Sequence, residues 1–495
     1  MSLASFAGWR GTLLALVAGS ALPLAFAPLN LHPLGPLSVA GLFLLWTAAT
    51  PRRAAILGYA FGLGMFTVGA TWVYISFLKF GGIPVWMGVL LTVGFVLIMA
   101  VYPALAGYVA NRWFRGEITL RLLLIYPLLW TAAEWLRGWL FTGFNWLNLG
   151  SAQIETPFAG FVPIFGGYGV SAVVAILAGA LACLVVRERA RQGWAVAVIF
   201  GLPIMGGLLN QVAWTEPSGP PLRATLVQGN VPQEEKWQRS GLNVSLHSYL
   251  DLSRANWDSA IVVWPETAIP AFRHRVEESY LQPLSEEAGE HGVSLLLGVP
   301  VRADDSSEYF NSMIALGAGQ GRYDKRHLVP FGEYLPMKSA LAAIVDFLEI
   351  PLSDFSSGDD LQSLPTLAGY PVGVSICYED AYGREVAEAL PQAQILVNAS
   401  NDAWFGDSLA PPQHLQIARM RALETGRYLL RATNTGISAI IGPRGEELAR
   451  SAQFEQSVVT GDVRPMKGAT PYVYWRDWGL LLLLAPLVFL VRRRG

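Results

Sequence analysis

The sequence predicts an α-helical membrane bundle joined to an α/β domain, and three observations lead to this fold class. The chain has 495 residues, of which 53% are hydrophobic and 15% are charged, whereas a soluble domain carries about 25% charged residues. The apolar residues gather into long runs between positions 11 and 211 and into one run near the carboxyl terminus. Between these regions lie about 260 residues of mixed composition, in which short β-rich runs alternate with helical patterns.

Eight apolar runs predict a bundle of eight transmembrane helices. Most runs approach the ~20 residues that cross a bilayer core. The last run is short, and it crosses the bilayer only if Tyr472, Tyr474 and Trp475 form its interfacial belt. A cleaved signal peptide is the alternative for the first run, but the next run follows almost at once, which favours a polytopic protein. The runs are 11–28, 34–50, 54–78, 84–110, 120–140, 165–186, 193–211 and 478–491.

Basic residues in alternate loops predict the orientation of the bundle. Residues 29–33 contain no Lys or Arg, and the loop after the third run has only Lys79. The positive-inside rule therefore predicts cytoplasmic termini and an extracytoplasmic hydrophilic domain. We divide the chain into a seven-helix region (1–213), that domain (214–474), and a final helix with a basic tail (475–495). The basic loop residues are Arg52, Arg53, Arg112, Arg115, Arg121, Arg187, Arg189, Arg191, Arg492, Arg493 and Arg494.

Composition also excludes several classes of partner and cofactor. Lys and Arg number 35 against 37 Asp and Glu, so nothing indicates nucleic-acid binding. The six histidines are scattered without metal-ligand spacing, and we predict no metal site and no cofactor.

Cys183 and Cys377 lie on opposite sides of the predicted bilayer and cannot pair. Cys377 is therefore a candidate reactive thiol, whereas Cys183 is a packing residue.

The hydrophilic domain contains eight candidate strands separated by helical patterns near 241–256, 276–290, 380–389 and 411–427. This alternation predicts sheets covered by helices. The stretch 331–368 has no clean period, and long irregular segments in compact domains are often functional lids. The candidate strands are 224–228, 260–264, 293–299, 312–316, 372–377, 395–399, 437–441 and 458–463.

Three reactive side chains stand at or near predicted strand ends, where active sites of α/β sheets gather. Glu266 follows an apolar strand, Lys325 lies in the loop 323–333, and Cys377 ends a strand. A thiol needs a base or a nearby positive charge to become a nucleophile, and a carboxylate and an amine supply these. Each residue alone has a simpler interpretation as a surface or packing residue. Only their joint occurrence indicates a catalytic site.

The segments around these residues resemble the nitrilase superfamily, and within it the apolipoprotein N-acyltransferase family. The resemblance extends along essentially the whole chain and implies a four-layer αββα sandwich with a Glu-Lys-Cys triad. It makes Glu266 the general base, Lys325 the oxyanion stabiliser and Cys377 the nucleophile. The matching motifs are Trp-Pro-Glu-Thr-Ala (264–268), Lys-Arg-His-Leu-Val-Pro-Phe-Gly-Glu-Tyr (325–334), Cys-Tyr-Glu-Asp (377–380), Gln-Gly-Asn-Val-Pro (228–232) and Asn-Ala-Ser-Asn-Asp-Ala-Trp-Phe (398–405).

The same resemblance implies a reaction and a location. A phospholipid, usually phosphatidylethanolamine, would give its acyl chain to Cys377 as a thioester. The N-terminal α-amine of a diacylglyceryl-cysteine apolipoprotein would then accept that chain in a ping-pong reaction. The protein would act as a monomer in the bacterial inner membrane, with its catalytic domain on the periplasmic side.

Two further groups of residues receive roles from the motifs and their chemistry. Glu333, Glu379 and Tyr378 lie beside the triad residues in sequence, and we predict that they support them. Large apolar residues in predicted loops either line an acyl-chain access route or pack in the domain core. These residues are Trp237, Phe331, Tyr334, Leu335, Pro336, Met337, Trp404 and Phe405.

Two other functions remain open from the sequence. A membrane-anchored amidase or nitrilase-type hydrolase would use water as the acceptor with the same triad. A transporter or scaffold would carry an inactive domain, with charges in mid-helix or a broken triad as its signature.

Overall fold

In the computed structural model, the described residues are 8–80, 83–114, 116–186, 192–236, 239–303, 308–330, 332–334, 355–482 and 484–485. The chain forms two compact units. One comprises Met1–Tyr74, Pro84–Ala213 and Tyr474–Gly495, and the other comprises Ile75–Ile83 and Trp214–Val473. The segment Ile75–Ile83 was assigned to the helical region from its hydropathy. It groups instead with the hydrophilic unit, where the Ser76 hydroxyl donates to the Trp404 carbonyl at 2.8 Å.

The seven amino-terminal apolar runs are helical, and several of them consist of more than one helical element. The run predicted at 54–78 forms the helices Pro51–Gly69 and Val73–Phe80, and the run at 84–110 forms Val85–Met99 and Val101–Trp113. The remaining apolar helices are Trp9–Ala21, Leu34–Thr47, Tyr126–Arg137, Val162–Val186 and Gln192–Leu209.

Small residues let these helices approach closely, as is common in membrane bundles. A side chain at Gly19 would place its Cβ 1.9 Å from the Phe61 carbonyl oxygen. At Gly58 the corresponding distance to the Pro103 carbonyl oxygen would be 2.3 Å. Glycine is therefore required at both contacts.

Three helical segments among the described residues are long and apolar enough to cross a membrane: Val85–Trp113, Pro157–Val186 and Gln192–Leu209. Trp9–Ala25 and Leu34–Thr47 are apolar but shorter. Residue 483 and residues 486–491 of the last apolar run, together with the basic tail, lie outside the described residues. The count of eight spans therefore stays a prediction.

The described part of the hydrophilic unit contains two six-stranded mixed sheets and a short two-stranded ribbon. In chain order the strands are β1 (Thr215–Pro217), β2 (Leu222–Gln228), β3 (Ile261–Val263), β4 (Ser294–Arg302), β5 (Tyr309–Gly317), β6 (Arg322–Asp324), β7 (Thr366–Leu367), β8 (Tyr370–Ile376), β9 (Ile395–Ser400), β10 (Leu429–Thr433), β11 (Ala439–Ile441), β12 (Glu447–Arg450), β13 (Ser457–Val463) and β14 (Met466–Gly468). One large sheet has the strand order β12-β11-β10-β9-β8-β7, the other has the order β13-β2-β3-β4-β5-β6, and β1 pairs with β14 in the ribbon.

The two large sheets lie between layers of helices. Helices Arg239–Arg254 and Gln282–Glu290 pack on the β2–β4 sheet through a core that includes Tyr249, Trp264 and Leu284. Helix Ala410–Thr425 packs on the other sheet through Leu415, Ala418 and Ala422. The sheets meet where the Thr433 hydroxyl of β10 donates to the Gln228 side chain of β2 at 3.2 Å. These layers have the αββα order that the resemblance implied.

All eight candidate strands are present, and β10 is the longest strand that the sequence analysis missed. Arg431 in its centre breaks the apolar pattern, although all five residues of the strand are buried. The helical pattern predicted near 380–389 is present, but as three short helical segments instead of one helix. These segments are Cys377–Ala381, Gly383–Val386 and Ala387–Ala389.

Candidate active site

Cys377 lies at a sharp turn directly after β8. Its φ of 53° is in the left-handed region, which non-glycine residues adopt rarely and chiefly where the surrounding structure enforces it. Two hydrogen bonds hold the turn: the Glu379 carboxylate accepts from the Ile376 N–H at 2.7 Å, and the Asn398 amide donates to the Cys377 carbonyl at 3.2 Å. The Cys377 side chain is therefore held in one direction at the end of the strand.

Glu266 follows β3 and is held on both carboxylate oxygens. Oε2 accepts the backbone N–H of Asn401 at 3.0 Å, and Oε1 accepts the Asn311 amide at 2.8 Å. Its backbone passes close to β4, where a side chain at Gly298 would place a Cβ 2.4 Å from the Thr267 nitrogen. Glycine at position 298 thus makes room for the Glu266 turn.

Lys325 follows β6 and is 1% exposed, with its amine between two carboxylates. Nζ lies 3.4 Å from Glu266 Oε1 and 2.9 Å from the Glu333 carboxylate. Burial disfavours the charged amine, but Glu333 and Glu266 outweigh burial, and the pKa of Lys325 lies well above its usual range. Lys325 therefore carries a permanent positive charge.

The thiol of Cys377, unlike the amine of Lys325, favours its uncharged form. Burial and the negative charge of Glu266 raise the pKa of Cys377 well above its usual range, while Lys325 and a hydrogen bond with Ser400 act against them. The thiol is therefore protonated at rest, and it becomes nucleophilic only when a base removes its proton.

The three predicted supporting residues are also placed near the triad residues. Glu333 accepts from Lys325, from Asn311 at 3.1 Å and from the Val329 N–H at 2.8 Å. Glu379 is 2% exposed and accepts from the Arg326 N–H at 2.7 Å. Tyr378 is buried, with its ring 5.2 Å from that of Tyr382.

Glu379 links the Lys325 loop to the Cys377 turn, since it also accepts from Ile376. Burial raises the pKa of its carboxyl, and the backbone N–H groups that it accepts from oppose this. A surface carboxylate is thus excluded for Glu379.

The apolar residues predicted to line an access route are only partly covered by the described residues. Tyr334 and Trp404 are half-buried. Phe405 is buried, with its ring edge-on to His414 at 5.9 Å. The burial of Phe405 favours core packing, the alternative left open for this residue, over a place on an access route. Trp237, Phe331, Leu335, Pro336 and Met337 lie outside the described residues.

Several buried polar residues next to the site were not predicted from the sequence. Asn311 of β5 bridges Glu266 and Glu333, and the Lys236 amine lies 3.4 Å from the Glu266 carbonyl. Burial lowers the pKa of Lys236 to about 8, against the opposing effect of Glu266. Asp380, Asp402, His414 and Arg431 form a further group near Cys377.

One signal could have found this second group. An arginine inside an otherwise apolar stretch such as Leu429–Thr433 indicates a buried ion pair. His414 carries no such signal, because its partners come from distant segments. Within the part of the chain that the structure describes, no group of three or more His, Cys, Asp or Glu side chains is arranged to hold a metal ion.

A thiol, a carboxylate and a buried amine at strand ends of an αββα sandwich agree with the fold and the candidate site that the sequence resemblance implied. Residues 223–472 match the carbon-nitrogen hydrolase family. Residues 18–180 match the apolipoprotein N-acyltransferase N-terminal domain.

Full-length relatives narrow the class to one family. An apolipoprotein N-acyltransferase of Methylococcus capsulatus is 47% identical over 98% of this chain and 97% of its own. Enzymes of the same name from Coxiella burnetii and Pseudomonas syringae are 41% and 40% identical, over 97% and 96% of this chain and 100% and 95% of theirs. The chain belongs to the apolipoprotein N-acyltransferase family.

Proposed function

We propose that this protein moves a fatty acyl chain from a phospholipid to the N-terminal α-amine of a diacylglyceryl-cysteine apolipoprotein, through a thioester on Cys377. Membership of the family supports the overall reaction. The observation that carries the residue assignment is the convergence of Glu266 and Lys325, 3.4 Å apart, with the thiol of Cys377 within the reach of their charges.

In the first half-reaction, Glu266 accepts the thiol proton while Sγ forms a bond to the ester carbonyl carbon. The oxygen of that carbonyl becomes negative, and the charged amine of Lys325 stabilises it. When the intermediate collapses, the bond to the glycerol oxygen breaks and Glu266 returns the proton to that oxygen. The products are a lysophospholipid and the acyl-thioester of Cys377.

In the second half-reaction, the neutral α-amine of the apolipoprotein attacks the thioester carbonyl carbon. Glu266 accepts a proton from the nitrogen, Lys325 stabilises the oxyanion again, and the sulfur leaves. Return of the proton to the sulfur restores the thiol, whose raised pKa makes the protonated form the resting state.

Glu333 keeps Lys325 in place during both half-reactions. Its carboxylate lies 2.9 Å from Nζ and is itself fixed by Asn311 and the Val329 N–H. Because Glu333 neutralises the amine, Glu266 stays free to accept a proton. The two carboxylates thus have separate roles around one lysine.

The location and the partners follow from the same assignment. The enzyme acts in the bacterial inner membrane as a monomer, with both termini in the cytoplasm, eight spans and the catalytic domain in the periplasm. The distribution of Lys and Arg among the loops supports this orientation. Phosphatidylethanolamine is the acyl donor, and both substrates are held in the bilayer by their own acyl chains.

The rival function is a hydrolase that passes the acyl chain to water. The two differ only in the acceptor, so purified enzyme is first incubated with labelled phospholipid and then with a diacylated lipopeptide. We expect a labelled enzyme that loses its label to the lipopeptide as an amide. Release of the label as free fatty acid, with no amide product, would contradict the proposed function.

A further inference from the structure

Next to the Cys377 turn, four ionisable side chains form a closed ring of ion pairs that the two half-reactions do not use. Asp380, Asp402, His414 and Arg431 have side-chain exposures of 1% or less. The His414 nitrogens lie 2.9 Å from Asp402 Oδ1 and 2.9 Å from Asp380 Oδ1. Arg431 closes the ring at 3.2 Å from Asp380 Oδ2 and 3.0 Å from Asp402 Oδ2. We call these four residues the buried ion quartet.

The geometry suits a charged His414. Each ring nitrogen faces a carboxylate oxygen, and an ionised carboxylate can only accept, so both nitrogens must donate. Burial and Arg431 oppose this charge, but Asp380 and Asp402 outweigh them and raise the pKa of His414 to about 9. With two cations and two anions, the quartet is neutral.

The quartet reaches Cys377 by two routes. His414 Nε2 lies 3.3 Å from the Cys377 carbonyl oxygen. The Ser400 hydroxyl, which interacts with the Cys377 thiol, donates to Asp402 Oδ1 at 2.8 Å. Asp402 is also one of the negative charges that oppose ionisation of the thiol.

The groups that contact His414 come from three of the elements packed against its helix. Asp380 and the Cys377 carbonyl belong to the turn Cys377–Ala381, Asp402 and the Phe405 ring to the turn Asp402–Phe405, and Arg431 to β10. The thiol itself faces the charges of Glu266, Lys325 and Asp402.

We propose that His414 is a positioning residue that neutralises the quartet, so that the Cys377 thiolate forms beside a neutral cluster instead of beside an unpaired carboxylate. The proposal rests on the proposed role of Cys377 as the nucleophile. It deepens that role, because it gives a physical reason why Asp402 can lie near a sulfur that must become negative.

Replacing His414 with glutamine tests the proposal. The side-chain amide keeps a donor near Asp380 but removes the positive charge, which leaves the quartet with a net negative charge. An unpaired charge in the interior acts strongly on its neighbours, and here it opposes the thiolate. At any given pH from neutral to alkaline, we expect iodoacetamide to alkylate Cys377 about tenfold more slowly in this variant than in the parent. This is equivalent to a shift of about one pH unit in the dependence of the alkylation rate on pH.

The measurement is made in a Cys183→Ala background, because the chain has two cysteines. The matched control is the double variant His414→Gln, Asp380→Asn, in which one cation and one anion remain and the quartet is neutral again. We expect the double variant to regain most of the lost alkylation rate. Asp380→Asn alone should keep the parent rate or exceed it, since it removes a negative charge.

A purely structural role for His414 predicts a different pattern. If the single and double variants are alkylated equally slowly, or if His414→Gln keeps the parent rate, the proposal is overturned. If His414→Gln does not accumulate as folded protein, Asp380→Asn decides the matter, because slower alkylation in that variant contradicts the proposal and an equal or faster rate supports it.

Failure of the proposed function gives a separate result. In that case Cys377→Ala would still form a labelled acyl-enzyme from phospholipid. The alkylation comparison reports only on the thiol, so it stays interpretable whichever way the labelling experiment turns out.

Discussion

The hydrophilic unit contains two clusters of ionisable side chains that differ in exposure and in charge balance. Glu266, Glu333, Lys325 and Cys377 form the candidate catalytic cluster, in which the two carboxylates are 9% and 12% exposed. The buried ion quartet is at most 1% exposed. The first cluster has two carboxylates for one amine, whereas the second has two carboxylates for two cations.

The difference follows from what each cluster has to do. A general base needs a carboxylate that is not neutralised, and the surplus negative charge of the candidate catalytic cluster provides one. A fully buried group of charges persists only when it is paired and hydrogen-bonded, because unpaired charges lose their hydration. The candidate catalytic cluster therefore has a surplus of negative charge and is partly exposed, whereas the buried ion quartet is neutral and almost fully buried.

The largest effect on acyl transfer is expected from substitution of Cys377, which belongs to the candidate catalytic cluster. Cys377→Ala removes the acyl acceptor of the first half-reaction, so we expect acyl transfer to fall by at least about 10³-fold and the labelled acyl-enzyme to disappear. Cys183→Ala is the matched control and should keep parent activity, because that cysteine packs in the helical unit. Retained acyl-enzyme in Cys377→Ala would rule out this nucleophile.

The next effect is expected at Lys325. Lys325→Met keeps a side chain of similar length but removes the charge that stabilises the oxyanion, and it leaves Glu266 and Glu333 facing each other. We expect the acyl-enzyme to form about 10²–10³-fold more slowly, as for other lost oxyanion donors. Lys467→Met is the control, because that amine is 60% exposed and pairs with Glu216 at the surface. Normal acylation in Lys325→Met would contradict the proposed role.

A smaller effect is expected at Glu333, which holds the lysine without contacting the reacting atoms. Glu333→Gln keeps a hydrogen-bond acceptor for Val329 but removes the charge paired with Lys325. A hydrogen bond to a charged group contributes about 1.5–3 kcal/mol, so the rate constant of acylation should fall roughly 10-fold or somewhat more. Glu287→Gln breaks the surface pair with Arg254 and should leave the rate unchanged. A loss as large as that of Lys325→Met would place Glu333 in direct contact with the reaction.

The smallest effect concerns stability and the quartet. The pKa of His414 is raised from 6.5 to about 9 in the fold. Its charge therefore stabilises the fold fully below pH 6.5, and this stabilisation is lost as the pH rises through about 9. We expect the Tm of the parent to exceed that of His414→Gln by a few degrees at neutral pH.

That difference in Tm should narrow as the pH rises toward 9. Lys236, whose pKa is lowered to about 8, titrates in both proteins and cancels in the difference. A difference that is constant or widens with pH would show that His414 is uncharged in the fold.

Part of the catalytic cluster could be predicted from sequence because Glu266 and Cys377 each follow a short β-rich run. These runs are β3 and β8 in the structure. The two strands belong to different sheets, so the convergence of Glu266 and Cys377 depends on how the sheets pack together, which the periodicity of the runs does not predict. The position of Lys325 was harder to predict, because the preceding strand β6 is short and only the motif around Lys325 indicated the site.

The quartet could not be predicted in the same way. Arg431 pairs with Asp380, which lies 51 positions away, and with Asp402, which lies 29 positions away. No local period links these residues, and β10 was missed because a charged residue interrupts its apolar pattern.

The sequence by itself determined the membrane composition, the α/β character of the hydrophilic domain and the reactive residues at strand ends, because hydropathy and periodicity are local properties of the chain. Only the tertiary structure decided which group of carboxylates has a surplus of negative charge and which group is balanced by cations. Pairing depends on contacts between distant segments and on burial, and these are properties of the folded chain. The reactivity of Cys377 therefore depends on neighbours that its own motif does not contain.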